Sequence, residues 1–169
     1  GFINFRLSDS WLARQVEEIL ALGPRFGDVA LGDGQRVQVE FVSANPVGPL
    51  HVGAGRGLAI GDTLAGVLAA AGYDAEREYL INDAGTQTEA FAATLYARYQ
   101  QLFGRQVEIP EGGYPGHYMI DLAQELRAEH GEALLAAPEA GWPPELHDLG
   151  VQKMLSVIRD DLAAINVHY

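Results

Sequence analysis

The sequence predicts an α/β fold, a doubly wound parallel sheet with a helical remainder, and three observations predict it. Residues 36 to 43 alternate and are β-branched, the pattern of a half-buried strand. A Gly/Pro-rich stretch, an apolar-periodic helix, a second strand-like run and another helix follow, so strand, loop, helix, strand and helix succeed one another in roughly 65 residues, one and a half turns of such a sheet. The composition, 48% hydrophobic and 20% charged over 169 residues, is that of one soluble globular domain, large enough to bury a core without staples.

Each element has its own signal. Ser8 or Asp9 caps a helix carrying Trp11, Leu12, Val16, Ile19 and Leu20 on one face, and Gly23-Pro24 ends it. A loop with Gly27, Gly32, Asp33 and Gly34 leads into the strand at 36–43. Leu58, Ile60, Leu64, Val67 and Leu68 mark the next helix, which Gly72 closes, and Ala75 to Ile81 reads as the second strand. Residues from about Ala84 to Phe103 form a third helical stretch, one helix is expected near His117 to His130, and another over Pro144 to Ala164. Ligands of parallel sheets bind at the carboxyl ends of the strands. Those ends are Ser43 to Leu50 and Asn82-Asp83-Ala84-Gly85, which places two polar, glycine-containing turns on one rim.

Charge and cysteine usage exclude several function classes. The chain has no cysteine, which rules out disulfides, thiolate zinc and cysteine nucleophiles. With 11 basic and 23 acidic residues the net charge is −12, which opposes a general grip on the phosphate backbone of nucleic acid, so no DNA partner is expected. Apolar runs such as Leu64 to Ala71 are far short of the roughly 20 residues of a membrane span, and a cytoplasmic protein with no membrane partner is expected. Gly1 to Leu7 and Ile165 to Tyr169 read as strand-like phrases, from which a piece of a longer protein is expected.

The stretch Ala44-Asn45-Pro46-Val47-Gly48-Pro49-Leu50-His51-Val52-Gly53-Ala54-Gly55-Arg56-Gly57 is the most informative. It lacks the Gly-Lys-Ser/Thr ending of a Walker loop, and Leu58 stands where Gly-x-Gly-x-x-Gly needs its third glycine. It offers a Pro-flanked turn, the imidazole of His51, and glycines at 53, 55 and 57 that let a polyanion approach the backbone at a helix N-terminus. By spacing alone, a Gly-rich β-to-α turn with a surface histidine fits equally well.

Val39 to Gly53 closely resembles the signature region of arginyl-tRNA synthetases, class I enzymes whose His-Ile-Gly-His motif follows Ser-Ala-Asn-Pro-Thr-Gly-Pro-Leu. Arg77-Glu78-Tyr79-Leu80-Ile81-Asn82-Asp83-Ala84-Gly85 resembles the same family's next strand, Gly1 to Phe5 the end of its N-terminal tRNA-contacting domain, and Gly113-Tyr114-Pro115-Gly116 with Ile165-Asn166-Val167 the approach to its inserted domain. The resemblance implies that residues 1–35 end an N-terminal domain and its connecting helix. It implies that residues 36–169 form the first half of the class I catalytic nucleotide-binding fold. It also implies joining of arginine to ATP with Mg²⁺, then transfer to tRNA. By the same resemblance His51 is the catalytic candidate, toward the ATP phosphates, Gly53 and Gly55 allow close approach of the adenine and ribose side, and Ala54 and Arg56 complete the candidate ATP-binding set. Ser43 and Asn45, with Asn82, Asp83 and Gln87 on the same rim, are the candidates for arginine.

Two departures from the family pattern stand out. Ala54 occupies the fourth motif position, where a second histidine is usual, and losing such a donor costs about 3 kcal/mol of transition-state stabilisation unless another group, Arg56 for example, replaces it. The family's Lys-Met-Ser-Lys-Ser loop is missing. Lys153-Met154-Leu155-Ser156 lies in an apolar-periodic helix, lacks the second lysine and is read as a decoy. His117, His130, His147 and His168 have no metal-ligand spacing, so no metal residue is assigned. The alternatives are another nucleotidyltransferase of the same superfold, which the single lysine argues against; a non-catalytic synthetase-like nucleotide-binding module, which Ala54 favours; and an interaction fragment, which leaves the glycine density unexplained.

Overall fold

The computed structural model describes residues 1–136 and 141–169. The chain divides into two compact units, residues 1–39 with 63–76 and residues 40–62 with 77–169. Two strands, β1 (Arg36–Glu40) and β2 (Asp74–Glu78), pair in a two-stranded sheet and are joined by helix α2 (Val52–Ala70). The sheet is parallel: the Asp74 N–H donates to the Gln35 carbonyl at one end and the Phe41 N–H to the Glu78 carbonyl at the other, so the partners advance together. This is the βαβ unit expected of an α/β fold.

In the first unit, helix α1 (Asp9–Leu22) is capped by Ser8, whose hydroxyl accepts from the Trp11 N–H, and is ended by Gly23 with positive φ. It buries no residue. The loop after it lies along the end of α2: the Val29, Gly32 and Gly34 N–H groups donate to the carbonyls of Ala70, Ala71 and Gly72. Gly72 is required there twice over, by a φ of +87° and because a Cβ would stand 2.8 Å from the Val29 carbonyl oxygen. Arg36 lies 3.6 Å from Asp74 and 3.7 Å from Glu76, but all three are well exposed and such pairs contribute little.

The second unit holds the core. Helices α3 (Thr86–Gln101), α4 (Tyr118–His130) and α5 (Pro144–Ala164) bury Phe91, Leu95, Tyr99, Met119, Leu126 and Leu146 against one another. Gly150 lets α5 approach α3, since a Cβ would lie 2.6 Å from a Leu95 methyl. Buried Thr88 donates to the Gly85 carbonyl, and buried Thr94 donates to the Ala90 carbonyl while accepting from the Tyr114 N–H, so neither hydroxyl is left unpaired.

Two strand ends differ from the sequence reading. The alternation runs to Ser43, yet β1 stops at Glu40, because Val42 and Ser43 have φ of 64° and 39°, outside any strand. The second strand stops at Glu78, three residues before Ile81. There the hydrogen-bond partner of the Leu80 N–H is the Ser43 hydroxyl rather than a strand carbonyl.

Candidate functional site

All the geometry that bears on a site lies in the second unit, where the chain leaves β1 and β2. Phe41 ends the paired region, and its ring packs so closely on α2 that a Cβ on Gly61 would fall inside it. The backbone then bends through Val42 and Ser43. A β-branched residue at φ 64° is strained. The bend brings the Ser43 hydroxyl to the Leu80 N–H at 3.0 Å, which ties the two strand ends together. It also brings the Asn45 side-chain amide to Gln87 Oε1 at 2.5 Å, linking the first turn to the start of α3. Asn45 and Gln87, 42 positions apart, were both sequence candidates.

His51 opens α2. Its carbonyl accepts from the Ala54 N–H at 2.9 Å, and its ring Nδ1 accepts from the Gly53 N–H at 3.0 Å, so the side chain caps the helix it precedes. A neutral imidazole accepting at Nδ1 carries its proton on Nε2, which is therefore a hydrogen-bond donor. The cap explains Gly53: a Cβ there would stand 2.7 Å from His51 Cε1 and 2.8 Å from Nδ1. Gly55 and Gly57 have no such reason, because a Cβ at either would meet nothing within 4 Å. Glycine in a helix costs about 1 kcal/mol relative to alanine, and no packing among the described residues offsets that at 55 and 57. Gly66, further along α2, is equally open; the first pair differs from it in following His51 at the exposed start of the helix.

A cavity of about 370 Å³ lies over this turn, lined by Ala44, Asn45, Val47, Gly48, Pro49, Leu50, His51, Ala54, Gln87, Tyr114 and Tyr118. That is within the size range of small-molecule sites. A second cavity, about 320 Å³, lined mainly by Tyr79, Ile81, Leu155, Ile158, Leu162 and Tyr169, shares no residue with it and is largely apolar. Among the described residues no three His, Asp or Glu side chains converge as a metal cage.

The matching family is the one described as tRNA synthetases class I (R), catalytic domain, over residues 15–111, more than half of the chain. The chain belongs to the class I arginyl-tRNA synthetase family. The arginine–tRNA ligase of Dehalococcoides mccartyi is 47% identical over the whole chain, and that of Anaeromyxobacter dehalogenans 49%. The chain spans only about 30% of the length of these curated relatives. A crystal structure assigned as an arginyl-tRNA synthetase from Campylobacter jejuni is similar over 96% of this chain and 36% of its own, at 32% identity and a TM-score of 0.81.

The structure brings together part of the candidate set that this family suggests. Asn45, His51, Ala54 and Gln87 line the cavity. Ser43 does not line it and uses its hydroxyl to hold Leu80. Gly53, Gly55 and Arg56 follow on the exposed first turns of α2, and Asn82 and Asp83 are exposed beyond β2. Lys153, the decoy, pairs with Glu129 at 2.8 Å and Glu125 at 3.2 Å between α5 and α4, and Met154 beside it is core. Two lining residues escaped the sequence reading, Tyr114 and Tyr118. Tyr114 lies in Gly113-Tyr114-Pro115-Gly116, which the resemblance assigns to the approach to an inserted domain, and Tyr118, two residues beyond that phrase, carries no signal of its own in the sequence.

Proposed function

We propose that this chain supplies the ATP-facing part and one wall of the arginine site of an arginyl-tRNA synthetase. The observation that carries the reading is the convergence of Asn45, His51 and Gln87 on one cavity from the end of β1, the start of α2 and the start of α3. In the reaction, an arginine carboxylate oxygen attacks the α-phosphorus of ATP, the bond from that phosphorus to the bridging oxygen breaks, and pyrophosphate leaves. A hydroxyl of the terminal adenosine of tRNA then takes the arginyl group and AMP departs. Little covalent chemistry falls to the protein, so its contribution is positioning and charge stabilisation.

His51 is the residue best suited to that contribution. Its Nε2–H donor is held rigidly by the Nδ1 bond to Gly53 and needs no reorganisation to meet a phosphate oxygen. The bare backbone at Gly55 and Gly57 admits the nucleotide closely, with Arg56 beside it as a cation. Ser43, Asn45, Asn82, Asp83 and Gln87 are assigned to the arginine side, Ser43 through the bend it holds. The described residues offer no cage for Mg²⁺, so the ion is expected to arrive with the triphosphate and no step is assigned to side chains through it. Binding of tRNA falls to parts of the enzyme outside this chain, which carries a net charge of −12, and the setting is the cytoplasm.

The test is pyrophosphate exchange in a full-length arginyl-tRNA synthetase carrying this segment. His51→Ala is expected to lower the rate at least about a hundredfold, as for loss of a preorganised donor, with the melting temperature lowered only by the lost cap of α2, about 1 kcal/mol. Exchange at the parent rate would overturn the assignment. It would favour the second reading, a non-catalytic nucleotide-binding module, for which the small Ala54 side chain in the cavity wall is the supporting observation.

A further inference from the structure

The bend after β1 is strained at Val42 and Ser43, and such conformations persist only where the surroundings over-determine them. Three tyrosine hydroxyls from distant parts of the second unit meet its carbonyl groups. Tyr79, just past β2, donates to the Ala44 carbonyl at 2.7 Å; Tyr118, the first residue of α4, donates to the Val47 carbonyl at 2.7 Å; and Tyr169 donates to the Phe41 carbonyl at 3.1 Å. Their sequence separations from the bend are 35, 71 and 128 residues.

The rings are fixed independently of the hydroxyls. Tyr169 packs on Phe41 with centroids 4.8 Å apart and meets Tyr79 edge-on at 5.4 Å. Tyr118 passes over Gly48, where a Cβ would stand 3.1 Å from its hydroxyl oxygen, so the glycine in the signature is the clearance for this tyrosine. The segment so held, Phe41 to Val47, contains Asn45 and the fully buried Pro46, and runs into His51 through Pro49.

We propose that Tyr79, Tyr118 and Tyr169 form a clamp that holds the turn after β1 in its strained shape, and that they are positioning residues for Asn45 and His51. The clamp as a positioning device rests on the proposed ATP site; the clamp as a local structure does not. A tyrosine-to-phenylalanine change removes each hydroxyl and leaves the ring, so each carbonyl loses its hydroxyl partner, the Phe41 carbonyl keeping the Ser43 N–H, without a cavity being opened.

The test compares Tyr79→Phe, Tyr118→Phe and Tyr169→Phe with Tyr99→Phe in the same chain. Tyr99 donates to the Gly131 carbonyl at 2.6 Å in the helical core and serves as the control for loss of an equivalent bond. Amide hydrogen exchange at Phe41, Ser43, Val47 and Leu80 and titration with ATP are read alongside melting. Each clamp variant is expected to speed exchange at these four amides and to weaken ATP binding about fivefold, the factor that one net hydrogen bond of about 1 kcal/mol represents. Tyr99→Phe is expected to lower the melting temperature and leave both readouts at the parent value. Unchanged exchange in all three variants would overturn the clamp, and faster exchange with parent ATP affinity would overturn its positioning role. If the parent chain itself binds no ATP, the reading of the site fails separately and exchange alone decides the clamp.

Discussion

Helix α1 and the trio α3, α4 and α5 both carry apolar residues at helical spacing, yet they meet opposite fates. In the trio, Phe91, Leu95 and Leu126 are completely removed from solvent, whereas on α1 Leu20 is 78% exposed and Val16 57%. The contrast teaches that an amphipathic pattern specifies a face and says nothing about whether a partner is present to cover it. It also divides the chain by what a substitution should do. Changes in the trio act on stability, changes around His51 act on ligand with little effect on stability, and changes on the α1 face act on neither.

Breaking the core gives the largest expected effect. Phe91→Ala removes a completely buried ring from the contact of α3 with its neighbours and is expected to cost about 3–5 kcal/mol, a large part of the stability of a domain this size. Denaturant unfolding measures it. A loss under about 1 kcal/mol would mean that the trio is not the stabilising centre.

Gly53→Ala separates stability from function, because two opposed terms leave stability near its parent value while the effect on ligand remains. Alanine is the better helix former by about 1 kcal/mol and the lost His51 cap costs about as much, so melting should hold. The new methyl would meet the His51 ring at 2.7 Å, so the ring must turn away and its bond to residue 53 is lost. ATP affinity is expected to fall about tenfold, or ~1.4 kcal/mol. Equal affinity in parent and variant would mean that His51 does not need its cap. Gly55→Ala, with open space around it and no cap to lose, should raise stability, and its ATP affinity reports how closely the nucleotide passes.

Much of this division was legible in the sequence. The range Pro144–Ala164 is legible because Pro144 opens the helix and the periodicity of Val151, Leu155, Ile158 and Leu162 is unbroken. The cap of α1 narrows in the sequence to Ser8 or Asp9, of which the structure uses Ser8, and Gly72 as the stop of α2 follows from local stereochemistry. The end of β1 does not, because alternation at Phe41-Val42-Ser43 looks like strand and the bend there is held by tyrosines up to 128 residues away. The cap at His51 was equally hidden: the sequence gives the histidine and the glycine two places on, but not that one ring nitrogen is spent on the helix.

A pH titration tests the clamp region. Burial pushes the Tyr118 and Tyr169 hydroxyls up to about 12, and the Tyr79 hydroxyl up as well. A folded-state value above the unfolded value near 10 means the native protein holds these protons more tightly, so the stabilisation is complete below pH 10 and is lost as pH rises towards 12. The groups facing Tyr169 are Tyr79, Asp62 and Arg77, the last two paired at 2.8 Å. Exchange at Phe41, Ser43 and Val47 should therefore quicken between pH 10 and 12, relative to the intrinsic rate. Burial raises the Tyr99 hydroxyl of the trio in the same direction, so the reading at the three amides decides: protection there that is unchanged up to pH 12 would contradict the expectation.

The smallest expected effect belongs to α1. Leu20→Ala removes a side chain that is already 78% exposed, and alanine fits a helix at least as well as leucine. Little apolar area is returned to water by the change, so the stability of the 169-residue chain should move by less than about 0.5 kcal/mol. The same substitution type at Leu126, completely buried in α4, should cost about 2–5 kcal/mol, so the pair measures the contrast between the two regions with the chemistry held constant. A loss above about 1.5 kcal/mol at Leu20 would show that the α1 face is covered in solution. If that loss grew with protein concentration the cover would be a second copy of the chain, and if it did not the cover would lie within the same molecule.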